Sequence, residues 1–324
     1  MIYVARQTET LPCSWSSWLC YEPTPTTRDP DLWLWRPRLH ARKVKAVRRE
    51  PTCESRFIQV RISDTAGTRF RPMTEWGGFS YGGKSVERFA RTKLIIGETG
   101  LQKLSRAKVA VFGIGGVGGA ACEALARSGI GTLVLVDHDV VDITNINRQI
   151  VALGSTLGRP KVEVMAERVR DINPDCRVIA YREFYDERRS DELLPCDLDY
   201  VVDAIDSVPS KVSLIAQCRK RGISVVSAMG AGNKLDPTQL QVTDISQTHT
   251  CPLAKAVRLG LRKLGVREGV PVVFSTERPR RLVPGRTPGS IAFVPPVVGM
   301  IMASIVVRDL LQESDSGGSL PADG

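Results

Sequence analysis

A doubly wound α/β fold with a mostly parallel sheet is what this 324-residue sequence predicts, and three observations carry that expectation. From Ser85 to Gly230, short apolar runs alternate with amphipathic stretches of helical period, the rhythm of strands covered by helices on both faces. A glycine-rich turn, Gly113-Ile114-Gly115-Gly116-Val117-Gly118-Gly119, joins the first strand to a helix. A carboxylate, Asp137, closes the second strand 24 residues after Gly113.

In chain order, Val86–Leu104 reads as one or two helices ahead of a strand at Lys108–Phe112. A helix is expected around Val117–Arg127, a strand at Thr132–Val136 and a helix around Pro160–Ile172. Strands at Arg177–Tyr181, Tyr200–Asp203 and Ser224–Ala228 follow, the last preceded by a helix at Ser210–Arg221. After Gly230 the rhythm changes to a strand at Gln239–Ile245, a helix at Pro252–Leu264 and a Pro/Arg-rich loop at Thr276–Gly289. The stretch Ile291–Val307 holds about 17 apolar or small residues interrupted by Pro295-Pro296 and Gly299, where a span wants roughly 20. Val297–Leu311 therefore reads as a buried helix, with membrane association the lesser alternative, and 313–324 as a disordered tail.

Residues 1–72 differ from the rest. They contain Trp15, Trp18, Trp33 and Trp35, frequent prolines, and 13 basic against 7 acidic residues, with a short strand at Phe57–Ile62 as the one periodic stretch. A basic arm, a targeting peptide and upstream sequence translated from too early a start all fit. The third is preferred, which makes Met73 the natural start and 73–312 the folded domain. Hydrophobic content of 42% with 25% charge excludes wholesale disorder and a collagen-like fibre. The net charge of +10 permits an anionic partner such as nucleic acid without requiring one. Eight scattered cysteines with no C-x-x-C pair give no support to a paired-cysteine zinc site and point to reduced thiols in the cytoplasm. No secretory signal pattern opens the chain.

Glycines let the turn take positive φ and let a phosphate approach the N–H groups of a helix N-terminus; Asp137 can accept from ribose hydroxyls. That much says only "nucleotide", and a dehydrogenase is the default. The next segment departs from it. Asp137-His-Asp-Val-Val-Asp-Ile-Thr-Asn-Ile-Asn-Arg-Gln149 is a polar loop offering Asn145, Asn147, Arg148 and Gln149, with Lys161 at the start of the following helix. Arg148 and Lys161 are cationic donors suited to a triphosphate. Asn145 is expected to organise its own loop and Asn147 to lie near the phosphates. Asp206, in Asp203-Ala-Ile-Asp206-Ser at the ligand-facing end of the fourth strand, is best explained as a Mg²⁺ ligand opposite phosphates, with an N-cap as the structural alternative.

On these residues the chain resembles the ubiquitin-activating-enzyme-like (ThiF/MoeB) adenylating superfamily, and within it the tRNA threonylcarbamoyladenosine dehydratases. The resemblance runs from about Val86 to Leu311, about 70% of the chain, through RFARTKLIIGETGLQKL, GIGGVGG, LVDHDVVDITNINRQI, LGRPKVEVMAERVRDINP, VVDAIDSVPSK, DPTQLQVTDIS and PGSIAFVPP. It implies a Rossmann-like sheet with a C-terminal extension and binding of ATP with Mg²⁺. Gly113, Gly115, Gly116 and Gly118 would cradle the nucleotide, Asp137 hold the ribose, Asn147, Arg148 and Lys161 meet the phosphates, and Asp206 hold the metal. Arg91 matches an arginine that superfamily dimers reach across to the partner's ATP, so Arg91, Arg148 and Lys161 are the expected catalytic cations and a homodimer the expected assembly.

The reaction so implied is adenylation of the threonyl carboxylate of threonylcarbamoyladenosine in tRNA, then ring closure from the carbamoyl group with loss of AMP. Sulfur-transfer or electron-relay proteins remain open as further partners. Adenylation of a ubiquitin-like sulfur carrier is the first alternative, although the chain lacks the paired cysteines common in those relatives and has Val273 where some members place a cysteine. A dehydrogenase or simple nucleotide-binding module is the second. Cys251 reads as a thiol packed at a helix start. For RNA, Lys255, Arg258 and Arg262 share a helix face, and Arg278, Arg280, Arg281 and Arg286 crowd the next loop; solvated surface charge is the equal alternative.

Overall fold

The structure, a computed structural model, describes residues 88–280 and 288–312. The expected strand at Phe57–Ile62, the start at Met73, Arg281, Arg286 and the tail 313–324 lie outside the described residues.

Five strands fall where the apolar runs place them: β1 (Lys108–Phe112), β2 (Thr132–Val136), β3 (Arg177–Tyr181), β4 (Tyr200–Asp203) and β5 (Ser224–Ala228). β6 (Leu240–Asp244) agrees with the expected strand to within a residue at each end, and β7 (Pro271–Ser275) is a strand absent from the expected elements. The sheet runs β3-β2-β1-β4-β5-β7-β6, parallel throughout except for the β6–β7 pair. Every residue of β4 and all but the first of β1, β2, β5 and β7 are buried, because helices cover both faces and the strands need apolar side chains on each. β3 and β6 are the edges and carry the mixed patterns RVIAY and LQVTD.

The helices are α1 (Ala90–Arg106), α2 (Gly118–Ser128), α3 (Lys161–Ile172), the single turn α4 (Ser190–Leu193), α5 (Val208–Arg221), α6 (Pro252–Lys263) and α7 (Val294–Gln312). α1 is broken at Gly97, whose φ of 71° lies in the left-handed region, so the expectation of one or two helices resolves as one kinked element. In α6, Ala254, Val257 and Leu261 are buried, whereas Leu264, the expected last residue of the helix, follows the last turn and is exposed. α7 is long and apolar enough to cross a membrane by length and composition, with half of its residues buried inside the fold. Val298, Met302, Ala303 and Val306 enter the main core with Leu125 and Val109. Gly299 lets α7 touch α2: a Cβ there would stand 2.2 Å from the Val117 carbonyl oxygen. That packing accounts for the apolar residues of α7 that are buried.

The chain order of the strands reverses about β1, whose neighbours are β2 and β4. Their carboxyl ends diverge and leave a crevice at this switch point, where open α/β sheets take their ligands.

Candidate active site

A cavity of about 870 Å³ opens at that switch point. Its floor is the glycine turn. Gly113 has φ of 86°, and a Cβ there would lie 2.7 Å from the Ala204 carbonyl oxygen. Gly118 is tighter still, since its added Cβ would fall 1.7 Å from the Gly113 oxygen. The turn can close onto α2 only without side chains at these two positions. Gly115 and Gly116 face the cavity.

Asp137 is buried at the end of β2; Ile114 N donates to its Oδ2 at 2.5 Å and Asp139 N to its Oδ1 at 2.8 Å. The carboxylate therefore ties the second strand to the glycine turn. Lys161, 5% exposed at the first position of α3, donates from Nζ to Asp139 Oδ2 at 2.7 Å. The Arg148 guanidinium is half-buried and donates from Nη1 to the Thr144 carbonyl and to Asn147 Oδ1, both at 2.9 Å. Asp206 is exposed at the opposite rim, and no cation among the described residues forms an ion pair with it.

The predicted residues Gly113, Gly115, Gly116, Asp137, Arg148, Lys161 and Asp206 thus line one cavity. Gly118 stands just behind it as the first residue of α2. Asn145 does what was expected of it and lines the cavity besides, whereas Asn147 is placed differently from the expectation. Asn145 is buried and lines the cavity while its Oδ1 accepts from Asp142 N at 3.1 Å, so it organises its loop and faces the site at once. Asn147 does not line the cavity; it orients Arg148 and donates to the Ser290 carbonyl at 2.9 Å. Arg91 is exposed on α1 and does not line the cavity of its own chain.

Several functional-site residues were not singled out in the sequence. Asp139 holds Lys161. Lys211 and Asp203 form an ion pair at 2.9 Å with both side chains fully buried, and Ser227 Oγ donates to Asp203 Oδ2 at 2.6 Å. The other oxygen of Asp203 accepts from Ile205 N at 3.2 Å, so this buried group fixes the loop that presents Asp206. Lys211 was visible as a charge in an otherwise buried helical face of VPSKVSLI, a pattern that calls for a buried partner. Lys234 and Glu277, 43 residues apart, are also brought together beside the cavity. Cys251 is buried at the N-cap of α6 and lines the cavity, in keeping with a packed thiol. Of the basic residues on α6, Arg258 donates to the Thr248 carbonyl at 2.8 Å and closes the preceding loop, while Lys255 and Arg262 are exposed.

The donor set can be tested for a cation. Asp206 offers a carboxylate unengaged by cations among the described residues and opposite the Arg148–Lys161 side, which suits Mg²⁺ bound by one carboxylate plus phosphate oxygens and water. Asp137, His138 and Asp139 also bring ligand atoms within 4.8 Å of one another, but Asp137 is occupied by backbone donors and Asp139 by Lys161.

Fold and site together define a doubly wound nucleotide-binding protein whose switch-point cavity is lined by the cations Arg148 and Lys161. The chain belongs to the ThiF family, whose model matches residues 88–320. It is 49% identical over 244 residues to the tRNA threonylcarbamoyladenosine dehydratase of Bacillus subtilis, covering 70% of this chain and 96% of that protein. The crystal structure of Escherichia coli tRNA N6-threonylcarbamoyladenosine dehydratase with ATP is similar, with a TM-score of 0.69 and 41% identity over 72% of this chain and 97% of that one. The same enzyme with AMP gives a TM-score of 0.68 and 42% identity over 70% and 95% of the two chains.

Proposed function

We propose that this chain is an ATP-dependent dehydratase that cyclises threonylcarbamoyladenosine in tRNA. The observation that carries the reading is that Arg148, Lys161, Asp137 and Asp206 line one cavity together with the glycine turn. The fold, the family and the likeness to dehydratases crystallised with ATP and AMP support it.

ATP lies with its α-phosphate over Gly113–Gly118 and its ribose against Asp137. Lys161 exchanges its Asp139 partner for phosphate oxygens, and Arg148, steadied by Asn147, meets the same group. Asp206 would hold Mg²⁺, which when bound neutralises phosphate charge and eases departure of pyrophosphate. A carboxylate oxygen of the threonyl group attacks the α-phosphorus; the bond to the β,γ-phosphates breaks, and pyrophosphate leaves. A nucleophile of the carbamoyl group then attacks the acyl carbon. The acyl–oxygen bond breaks, AMP carries away the former carboxylate oxygen, and a proton is released. The sum is loss of one water from the nucleoside, with ATP converted to AMP and pyrophosphate. Chemistry of this kind needs orientation and charge stabilisation more than an enzyme nucleophile.

Leu94 and Ile95, each 86% exposed, share a face of α1 with Arg91 at i+3 and i+4. A second copy covering this apolar face would bring Arg91 to its partner's nucleotide, so the working unit is a homodimer. The tRNA would meet exposed cations such as Lys255 and Arg262 through its phosphates.

Pyrophosphate release tests the reading. It should require Mg-ATP together with tRNA that bears threonylcarbamoyladenosine. Release with a Gly-Gly-ending carrier protein and none with modified tRNA would replace it with carrier activation.

A further inference from the structure

The cavity is longer than the nucleotide machinery. Beyond β5 it continues along the loop Met229–Lys234, the start of α6 and Pro288–Ser290. Among the cavity-lining residues from Ala228 onward, Lys234 is the one with a charged side chain.

Lys234 is 5% exposed. Its Nζ donates to the main-chain carbonyl of Glu277, its one hydrogen-bond partner among the described residues. The Glu277 carboxylate is already occupied. Its Oε2 accepts from Leu235 N and Asp236 N, each at 2.9 Å, and its Oε1 from Arg280 Nε at 2.9 Å. Burial pulls the Lys234 ammonium below the usual lysine value, partly offset by the nearby Cys251 and Glu277. A buried ammonium whose one hydrogen-bond partner is a carbonyl has its desolvation cost only partly compensated, and an anion arriving in the cavity would lower it further. Cys251, Pro252 and Leu253, the N-terminal end of the twelve-residue α6, line the same region, and the helix dipole there also favours negative charge. Two independent features of this half of the cavity therefore favour a bound anion.

We propose that Lys234 binds the carboxylate of the threonyl group and holds it toward the α-phosphate, making the Lys234 end of the cavity the acyl-substrate subsite. This rests on the reading of the chain as a threonylcarbamoyladenosine dehydratase. The carboxylate enters a region walled by Gly230, Gly232 and the Cys251 thiol. A Cβ at Gly232 would approach Pro288 to 2.9 Å, so the subsite is narrow and suits a small acyl group better than an extended peptide.

Lys234→Met and Lys234→Arg separate the roles. The expected result for Lys234→Met is Mg-ATP affinity within about two-fold of the unaltered protein by calorimetry. Its kcat/KM for modified tRNA, read as pyrophosphate release, should fall about 10- to 100-fold, the loss of one charge-assisted hydrogen bond. Lys234→Arg should recover part of that loss. Unchanged kcat/KM in Lys234→Met overturns the assignment, and so does a fall in ATP affinity beyond about ten-fold, which would make Lys234 a phosphate ligand. Where Lys234→Met fails to fold, the unaltered protein with AMP present is tested for binding of the free nucleoside N6-threonylcarbamoyladenosine and of its methyl ester. Binding of the ester weaker by about ten-fold or more supports a cationic carboxylate site, and equal binding overturns it. Failure of the wider reading shows separately, as no tRNA-dependent pyrophosphate release from the unaltered protein; the carboxylate-to-ester comparison still decides the subsite.

Discussion

Gly118 and Arg148 show two ways in which one side chain controls this site. At Gly118 any side chain meets the Gly113 carbonyl, so Gly118→Ala must push α2 away from the turn. Overpacking of this kind costs about 1–3 kcal/mol. Urea denaturation should show that loss, together with weakened ATP binding; a variant of unchanged stability would mean that the turn relaxes freely. Arg148 donates to the Thr144 carbonyl and to Asn147 at the surface of its loop, so Arg148→Ala should leave the fold intact while ATP-dependent turnover is abolished. Retained turnover would remove Arg148 from the phosphate site. Glu123 illustrates a side chain that serves the fold instead. Burial pushes its carboxyl up, but hydrogen bonds from Arg168 and Arg127 and their charges outweigh this and hold it below the ordinary value. A carboxyl lowered in the folded state stabilises above its unfolded value, and that contribution is lost as pH falls through the folded one. Glu123→Gln should thus be less stable than the unaltered protein at neutral pH, with the gap narrowing as pH falls below the ordinary glutamate value and through the lowered folded one. A stability gap independent of pH would contradict this.

Elements position these side chains through contacts distant in sequence. The Lys211–Asp203–Ser227 group joins α5, β4 and β5 beneath the loop that carries Asp206. Removing one charge leaves the other buried alone, so Lys211→Met should cost about 3–5 kcal/mol in denaturation, and Asp203→Leu combined with Lys211→Met should restore most of it. No recovery in the double variant would show that the hydrogen bonds, and not the lone charge, dominate. The strands were legible because burial on both faces forces continuous apolar runs, and the helix ends because Gly129 and Gly222 take left-handed φ as C-caps. β7 was not legible in the same way. PVVFS is as apolar as its neighbours, but it inserts between β5 and β6 out of chain order, after the regular alternation has stopped. Among site residues, those on the turn and its flanking strand ends could be read because their spacing is local. Asn147 meeting Ser290 across 143 residues and Lys234 meeting Glu277 across 43 could not, since nothing in either segment marks the other.

At the scale of the whole molecule, the sheet supplies a crevice, and loops from both sides of the strand reversal line it with opposite tasks. The β2 side carries Asp137, Arg148 and Lys161, to which the proposal assigns the ribose and the phosphates, while the β4–β5 side carries Asp206 and the Lys234 end. The apolar face of Leu94 and Ile95 extends the proposal to the assembly. Replacing both with Glu should convert a dimer to monomers in analytical ultracentrifugation and lower turnover by withdrawing Arg91 from the partner. Monomeric protein of full activity would exclude a role in trans. Purified protein should be incubated with Mg-ATP and tRNA bearing threonylcarbamoyladenosine, and the nucleosides resolved by mass spectrometry. The account predicts that the modified nucleoside loses the mass of one water only when both protein and ATP are present; a nucleoside of unchanged mass, with ATP bound and the protein folded, would contradict it.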